Sequence, residues 1–127
     1  TERFPNMNLR GIFYTDGEGQ FGFCTEKPAS YPVPTDGPVG VMLKALGRPA
    51  MRPAHIHFMV SAEKYQSLTT HLFVRDDPYL KSDAVQAVKD SLIVEFKQLD
   101  NPVEAEQFGI PSPYFKVNED FRLASAV

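Results

Sequence analysis

Short apolar runs broken by glycine and proline turns extend along the whole chain, and this punctuation constrains the fold most strongly. Runs of this length suit strands better than long helices. We therefore predict a mainly β protein, an antiparallel β-sandwich with one or two short helices. The predicted strands are residues 8–15, 20–25, 54–61, 68–74, 92–99 and 114–123. The first two flank the turn Asp16-Gly17-Glu18-Gly19 and are predicted to form a β-hairpin.

Two segments show helical spacing. Residues 39–46 place Val39, Leu43 and Leu46 on one face and end at Gly47. In the second, Ser82 or Asp83 is a candidate N-cap, with Gln86 completing a capping box. Val85, Val88 and Leu92 then recur on one side. The segment of residues 28–38 is crowded with prolines and is predicted to be a loop.

Composition narrows the function classes. The 127 residues, 43% of them hydrophobic, are enough for one compact core, so residues 1–127 are predicted to be a single domain. A net charge of −3 argues against nucleic acid as a partner, and no apolar run approaches a membrane span. The single cysteine, Cys24, has no partner for an internal disulfide and is predicted to be a buried strand residue. Together these features predict a cytoplasmic protein.

A pair of histidines carries the main chemical signal. His55 and His57 lie in the segment Arg52-Pro53-Ala54-His55-Ile56-His57-Phe58. On a strand, residues i and i+2 face the same side, so both imidazoles can reach one metal ion. Imidazole suits Fe, Zn, Cu and Ni. The alternative from the residues alone is a pair of surface or half-buried histidines on an ordinary strand.

Further motifs on both sides of this pair occur in a recognisable order. Upstream lies Tyr31-Pro32-Val33-Pro34; downstream lie Thr69-Thr70-His71 and Asp77-Pro78-Tyr79-Leu80. With Leu9-Arg10-Gly11 near the start, they resemble the intradiol ring-cleavage dioxygenases, non-haem iron enzymes that open catechols between the two hydroxylated carbons. The Thr-Thr-His motif is most similar to the hydroxyquinol 1,2-dioxygenase branch. The resemblance implies a transthyretin-like sandwich that inserts O2 into hydroxyquinol or catechol and yields a (hydroxy)muconate in aromatic catabolism.

The resemblance also assigns roles to single residues. It implies that Tyr31, as a tyrosinate, binds Fe(III) together with His55 and His57. A hard trivalent ion favours such an anionic oxygen donor. Arg52 matches the arginine that stabilises negative charge on the substrate, and His71 matches a residue near the substrate oxygens. Val33 is expected to line the ring pocket. Judged without the resemblance, Tyr31 is an ordinary loop tyrosine and His71 a core histidine.

One departure from the family pattern stands out. The first tyrosinate ligand of the family precedes the Leu-Arg-Gly strand, but no tyrosine precedes Tyr14 here, and the helical N-terminal domain has no counterpart. We therefore expect the chain to correspond to the C-terminal catalytic portion of a family member. Sheet edges that the other portion would cover favour a homo-oligomer.

Two other functions stay open from the sequence. One is a non-catalytic β-sandwich or binding module that folds without a complete iron site. The other is a divalent-metal dioxygenase of the cupin type, which would need a nearby carboxylate ligand such as Glu63.

Overall fold

The fold is mainly β with two helices. A computed structural model describes residues 7–126. The chain divides into two compact units, one containing the described residues up to Lys27 with Asp100–Tyr114, the other Pro28–Leu99 with the residues from Phe115 onwards. In chain order the elements are β1 Tyr31–Pro32, α1 Pro38–Ala45, β2 Met51–Arg52, β3 His55–Val60, β4 Leu68–Val74, a 3-10 turn Asp90–Leu92, β5 Ile93–Val94, β6 Lys97–Leu99, α2 Pro102–Phe108 and β7 Tyr114–Lys116.

The larger unit is built on a three-stranded sheet in the order β3-β4-β5. β3 and β4 pair antiparallel, with His57 opposite His71 and His55 opposite Phe73. These strands confirm the predictions for residues 54–61 and 68–74. β5 pairs parallel to β4, so the sheet is mixed rather than purely antiparallel. The chain between β4 and β5 is long enough for the crossover that parallel pairing requires.

The core of this unit lies at the end of β4. Leu72, Phe73 and Val74 are consecutive buried residues, and Phe73 is fully enclosed. A strand that buries successive residues is covered on both faces, and such strands read as continuous apolar runs. Ala54, just before β3, and Val94, on β5, are also buried. The start of β3 is thereby fixed against the best-packed part of the unit.

A short ladder between β1 and β2 precedes this sheet. Tyr31 lies opposite Arg52, and Pro32 opposite Met51, in antiparallel register. Between the two strands, α1 confirms the predicted helix. It begins with Pro38 at its first position, and Gly47 just beyond its end has φ +61°. Gly40 is required in α1 because a Cβ there would lie 2.0 Å from the carbonyl oxygen of Thr35.

The predicted helix after Ser82 is wrong. The segment holds turns and only the 3-10 turn Asp90–Leu92. Gln86 has φ +55°, a left-handed conformation that ends any right-handed helix begun at Asp83. The Asp83 carboxylate does accept nearby backbone N–H groups, as a cap would, but it closes an irregular loop.

Two predicted strands are shorter than expected. Residues 92–99 divide into β5 and β6, with Glu95 and Phe96 between them outside any strand. The prediction for residues 114–123 holds only for β7. β6 and the part of β7 from Phe115 onwards form a two-stranded sheet in this unit.

The smaller unit lacks the predicted hairpin strands. Among its described residues, 7–27 form no strand, although the turn itself closes through the Asp16 N–H, which donates to the Gln20 carbonyl at 2.8 Å. Phe13 and Phe23 stack with ring centroids 4.7 Å apart. Cys24 is exposed, so its predicted burial on a strand is also wrong. Apolar alternation alone does not form a strand pair when the apolar face stays exposed.

The smaller unit also contains α2, which the sequence reading missed. The Asn101 side chain caps it by accepting the Glu104 N–H at 3.2 Å, and Gly109 ends it with φ +65°. Near this helix, the Tyr114 hydroxyl donates to the Glu104 carboxylate and the pKa of Tyr114 is raised to about 12. Neither described α-helix has the length and apolarity to cross a bilayer.

Candidate metal and substrate site

Four polar side chains meet in the larger unit where the β1–β2 ladder is followed by β3. The register of the ladder sets Tyr31 opposite Arg52. Three residues after Arg52, His55 begins β3, and His57 follows on the same face. The structure thus brings together Tyr31, Arg52, His55 and His57, and we call these four residues the ligand cluster.

The orientation of His55 is fixed by the backbone. Its Nδ1 lies 2.7 Å from the Pro53 carbonyl oxygen, which can only accept, so Nδ1 carries a hydrogen. In the neutral ring the lone pair is therefore on Nε2. This Nε2 atom lies 3.2 Å from the Nε2 atom of His57. The two imidazoles present their nitrogen atoms to one small volume.

Arg52 borders that volume. Its Nη1 lies 3.2 Å from the His55 Nε2 and 3.4 Å from the Tyr31 hydroxyl oxygen. Its Nε donates to the Asp83 carboxylate at 3.2 Å. Arg52 is 8% exposed, and its Nη2 is buried without a hydrogen-bond partner. A buried donor of this kind is costly unless a ligand or water satisfies it.

Asp83 lies next to the ligand cluster, although sequence reasoning treated it only as a helix cap. It is 3% exposed. Burial would raise the pKa of its carboxyl, but hydrogen bonds from the Ala87 N–H, Arg52 and the Val85 N–H outweigh burial and lower it. The carboxylate is therefore charged and forms a buried ion pair with Arg52. A sequence signal existed in the Ser-Asp pair, but it did not reveal a partner 31 residues away.

His71 lies beside the ligand cluster on the neighbouring strand. It faces His57 across the β3–β4 ladder, and the two ring centroids are 4.9 Å apart. Its ring also packs edge-on against Phe73 at 4.8 Å. The His71 Nε2 is buried with no hydrogen-bond partner. His71 is thus the second side chain here with an unsatisfied polar atom.

The surroundings of His55 and His71 favour the neutral form of these two imidazoles. Burial lowers the pKa of His55, and the charges of Arg52 and His57 lower it further, although the Pro53 carbonyl opposes this. Burial and the neighbouring histidines also lower the pKa of His71. A neutral imidazole is the form that binds a metal, because protonation occupies the same lone pair.

Two backbone anchors hold the start of β3. The Asp77 carboxylate accepts the N–H groups of Ala54 and Tyr79, at 2.9 and 2.8 Å. The Ala54 carbonyl in turn accepts the Val74 N–H at 3.0 Å. The histidine pair therefore follows directly from a buried, hydrogen-bonded residue.

The remaining predicted residue, Val33, extends the β1–β2 pairing. Its N–H donates to the Ala50 carbonyl at 2.8 Å, and its side chain is half-buried. Tyr31 is 44% exposed and His57 is exposed, so the ligand cluster is open on one side. A ligand can reach it from that side.

The donor set fits a metal ion of the Fe(III) type. Two imidazoles bound at right angles, each at about 2.1 Å, have nitrogens about 3.0 Å apart, close to the observed 3.2 Å. In the part of the chain that the structure describes, no three His, Cys, Asp or Glu side chains gather as a metal site. Glu63 is thus not brought to the histidine pair, and the cupin-type reading loses its carboxylate ligand. The Tyr31 hydroxyl lies beside the pair, 3.4 Å from Arg52 Nη1, and a phenolate is a kind of donor that suits a hard trivalent ion.

Comparison with known proteins gives the class to which the chain belongs. A protein-family model described as Dioxygenase matches residues 1–123, so the chain belongs to this dioxygenase family. The resemblance to the intradiol ring-cleavage enzymes is thereby confirmed.

Individual relatives show which kinds of dioxygenase the chain is similar to. A hydroxyquinol 1,2-dioxygenase from Rhizobium sp. is 47% identical over 121 residues, which cover 94% of this chain and 41% of that protein. A catechol 1,2-dioxygenase from Candida albicans is 47% identical over 97 residues, 76% of this chain and 32% of that protein. The crystal structure of hydroxyquinol 1,2-dioxygenase from Pseudomonas putida DLL-E4 matches with a TM-score of 0.87 and 46% identity, over 97% of this chain and 43% of that one. The chain thus spans less than half the length of these relatives.

Proposed function

We propose that this chain is the catalytic portion of a non-haem Fe(III) intradiol ring-cleavage dioxygenase. Its substrate would be hydroxyquinol or catechol, and its product a (hydroxy)muconate formed by insertion of O2 in aromatic catabolism. One observation carries the proposal: the Tyr31 hydroxyl oxygen and the His55 Nε2 lie 3.4 and 3.2 Å from the same Arg52 nitrogen, Nη1. The His57 Nε2 lies 3.2 Å from the His55 Nε2. The names of the similar proteins support the substrate class.

In this proposal Tyr31, His55 and His57 hold the ferric ion. When bound, the ion supplies Lewis acidity and draws electron density from an aromatic diolate, which makes the ring reactive toward O2. The exposed side of the ligand cluster, at Tyr31 and His57, would leave room for a substrate beside the ion. The contact between His55 Nδ1 and the Pro53 carbonyl supports this role, because such a partner fixes the tautomer and orientation of a metal-binding histidine.

Arg52 and His71 are proposed to act on the substrate. A permanently charged guanidinium beside the metal can stabilise the negative charge that a deprotonated ring carries. The unsatisfied Nη2 of Arg52 and Nε2 of His71 support this assignment, because a bound substrate oxygen would give each a partner. Val33 is proposed to bound the ring pocket and to influence which diol or triol fits.

Several wider features belong to the same proposal. The mixed sheets would stack as a transthyretin-like β-sandwich, and residues 1–127 would act as one catalytic-domain portion in a cytoplasmic homo-oligomer. The similarity to the Pseudomonas putida enzyme along 97% of the chain supports the fold assignment. β3 lies at one edge of its three-stranded sheet, and strand edges favour assembly between chains.

A visible absorption titration with ferric iron tests the proposal. Tyrosinate bound to ferric iron gives a charge-transfer band, which we expect for the chain and not for Tyr31→Phe. Tyr65→Phe, at a half-exposed tyrosine that pairs with Ser125, is the matched control and should keep the band. Addition of hydroxyquinol should then cause oxygen uptake. A band that persists in Tyr31→Phe would refute the ligand assignment.

The second candidate is a non-catalytic binding module, favoured by the exposure of Tyr31 and His57. It predicts that catechol binds to the iron-loaded chain without consumption of oxygen. Simultaneous calorimetry and oxygen-electrode measurements separate the two candidates.

A further inference from the structure

We propose that Asp83 is a positioning residue, which fixes the Arg52 guanidinium against Tyr31 and His55. This inference rests on the proposed function, because Arg52 matters only if a substrate binds beside it. Asp83 contacts neither Tyr31 nor a histidine through any described hydrogen bond; its carboxylate reaches the ligand cluster through Arg52.

The rigid geometry of the guanidinium lets one contact orient the whole group. A guanidinium group is planar and rigid, so fixing one of its nitrogens restricts the directions of the others. Asp83 accepts from Nε at 3.2 Å, while Nη1 of the same group lies within 3.4 Å of the Tyr31 oxygen and the His55 Nε2. Without the Nε contact, rotation about the side-chain torsions would carry Nη1 away from both.

The positive charge of Arg52 also needs a partner. Arg52 is buried, and its guanidinium is permanently charged. A buried guanidinium is stable only when it is paired. Asp83 supplies that negative charge at Nε, so Nη1 and Nη2 of the same guanidinium stay available to other partners.

Asp83 is itself held in place by hydrogen bonds from the backbone. Its Oδ2 accepts the Ala87 N–H at 2.9 Å and its Oδ1 the Val85 N–H at 3.3 Å. The adjacent Ala84 N–H donates to the Met51 carbonyl at 3.0 Å, beside Arg52 on β2. The irregular loop that replaces the predicted helix therefore holds a carboxylate at a defined point.

The first test uses the metal-free chain. Proton-nitrogen NMR should show the Arg52 Nε–H as a slowly exchanging signal, which Asp83→Ala and the milder Asp83→Asn shift and expose to exchange. Asp16→Asn is the matched control, because the Asp16 carboxylate orders a turn in the smaller unit by accepting the N–H groups of Glu18 and Gln20. The backbone amide signals of His57 and His71 verify that β3 and β4 stay paired. An Arg52 signal equally protected in both Asp83 variants would overturn the proposal.

The second test measures the dissociation constant for catechol in the iron-loaded chain. Asp83→Ala should weaken catechol binding about tenfold, as expected for loss of one charge-assisted hydrogen bond, with the iron band retained. In the double variant with Arg52→Ala, removal of Asp83 should add nothing to the effect of Arg52→Ala alone. Additive losses, or an equal loss in Asp16→Asn, would refute a positioning role.

Failure of the unaltered chain to bind iron or catechol would count against the proposed function. The NMR comparison would then decide the position of Arg52 by itself, because it needs neither ligand.

Discussion

Phe73 links the core of the larger unit to the histidines, and its truncation should damage both. Its side chain is fully buried, lies opposite His55 in the β3–β4 ladder, and packs against the rings of His55 and His71 at 5.5 and 4.8 Å. Phe73→Ala removes a complete buried ring and leaves a cavity, a change that costs about 3–5 kcal/mol. The whole stability expected for a chain of this size is about 6–19 kcal/mol.

Urea unfolding followed by circular dichroism measures this loss. With a slope of about 2 kcal/mol per molar urea, the midpoint should fall by about 2 M. Phe108→Ala at the 54%-exposed end of α2 is the control and should cost less than about 1 kcal/mol. Ferric binding should also weaken in Phe73→Ala, because His55 and His71 lose the ring that supports them. A midpoint shift below about 0.5 M would refute the view that Phe73 is the central packing residue.

Three further changes have defined outcomes. The pKa values of His55 and His71 are lowered, chiefly by burial, so the unfolded chain binds protons at a higher pH than the folded chain does. The stability of the metal-free chain should therefore be full above the ordinary histidine pKa of 6.5 and should fall as the pH decreases below it. A urea midpoint that stays constant between about pH 7.5 and 5 would contradict this. Gly40→Ala should destabilise the chain strongly, since its Cβ would meet the Thr35 carbonyl; an unchanged melting temperature would show that this contact can open. Asn101→Ala should cost about 1 kcal/mol through loss of the α2 cap, and Asn101→Asp should restore most of it in the same urea assay.

Local patterns predicted the elements that carry the histidines. The alternation around His55 and His57 gave β3, and the apolar run Leu68–Val74 gave β4 to the residue. Both strands obtain their pattern from the core that they cover, so sequence and structure agree there. The Asn101-Pro102 start and the Gly109 end of α2 are equally clear helix signals, although no helix was predicted there.

The segment after Ser82 shows what local patterns cannot reveal. Asp83 has the composition of a helix cap, and competing backbone conformations around such residues are close in energy. In the folded chain the Asp83 carboxylate pairs with Arg52, which is distant in sequence and becomes a neighbour only after folding. The strand predicted over residues 20–25, around the exposed Phe21, was wrong for a related reason. A strand pattern needs a covering surface that the alternation does not itself provide.

The cross-strand register of β3 and β4 makes the site more sensitive to changes of length than to changes of residue. His55 and His57 share a face only because side chains alternate strictly along β3, opposite Phe73 and His71. Deleting one residue before His55 would turn both imidazoles to the other side of the sheet and bring their neighbours into the position of the ligands. During evolution this protein should therefore accept insertions in the connection of residues 61–67, but not between Arg52 and His57.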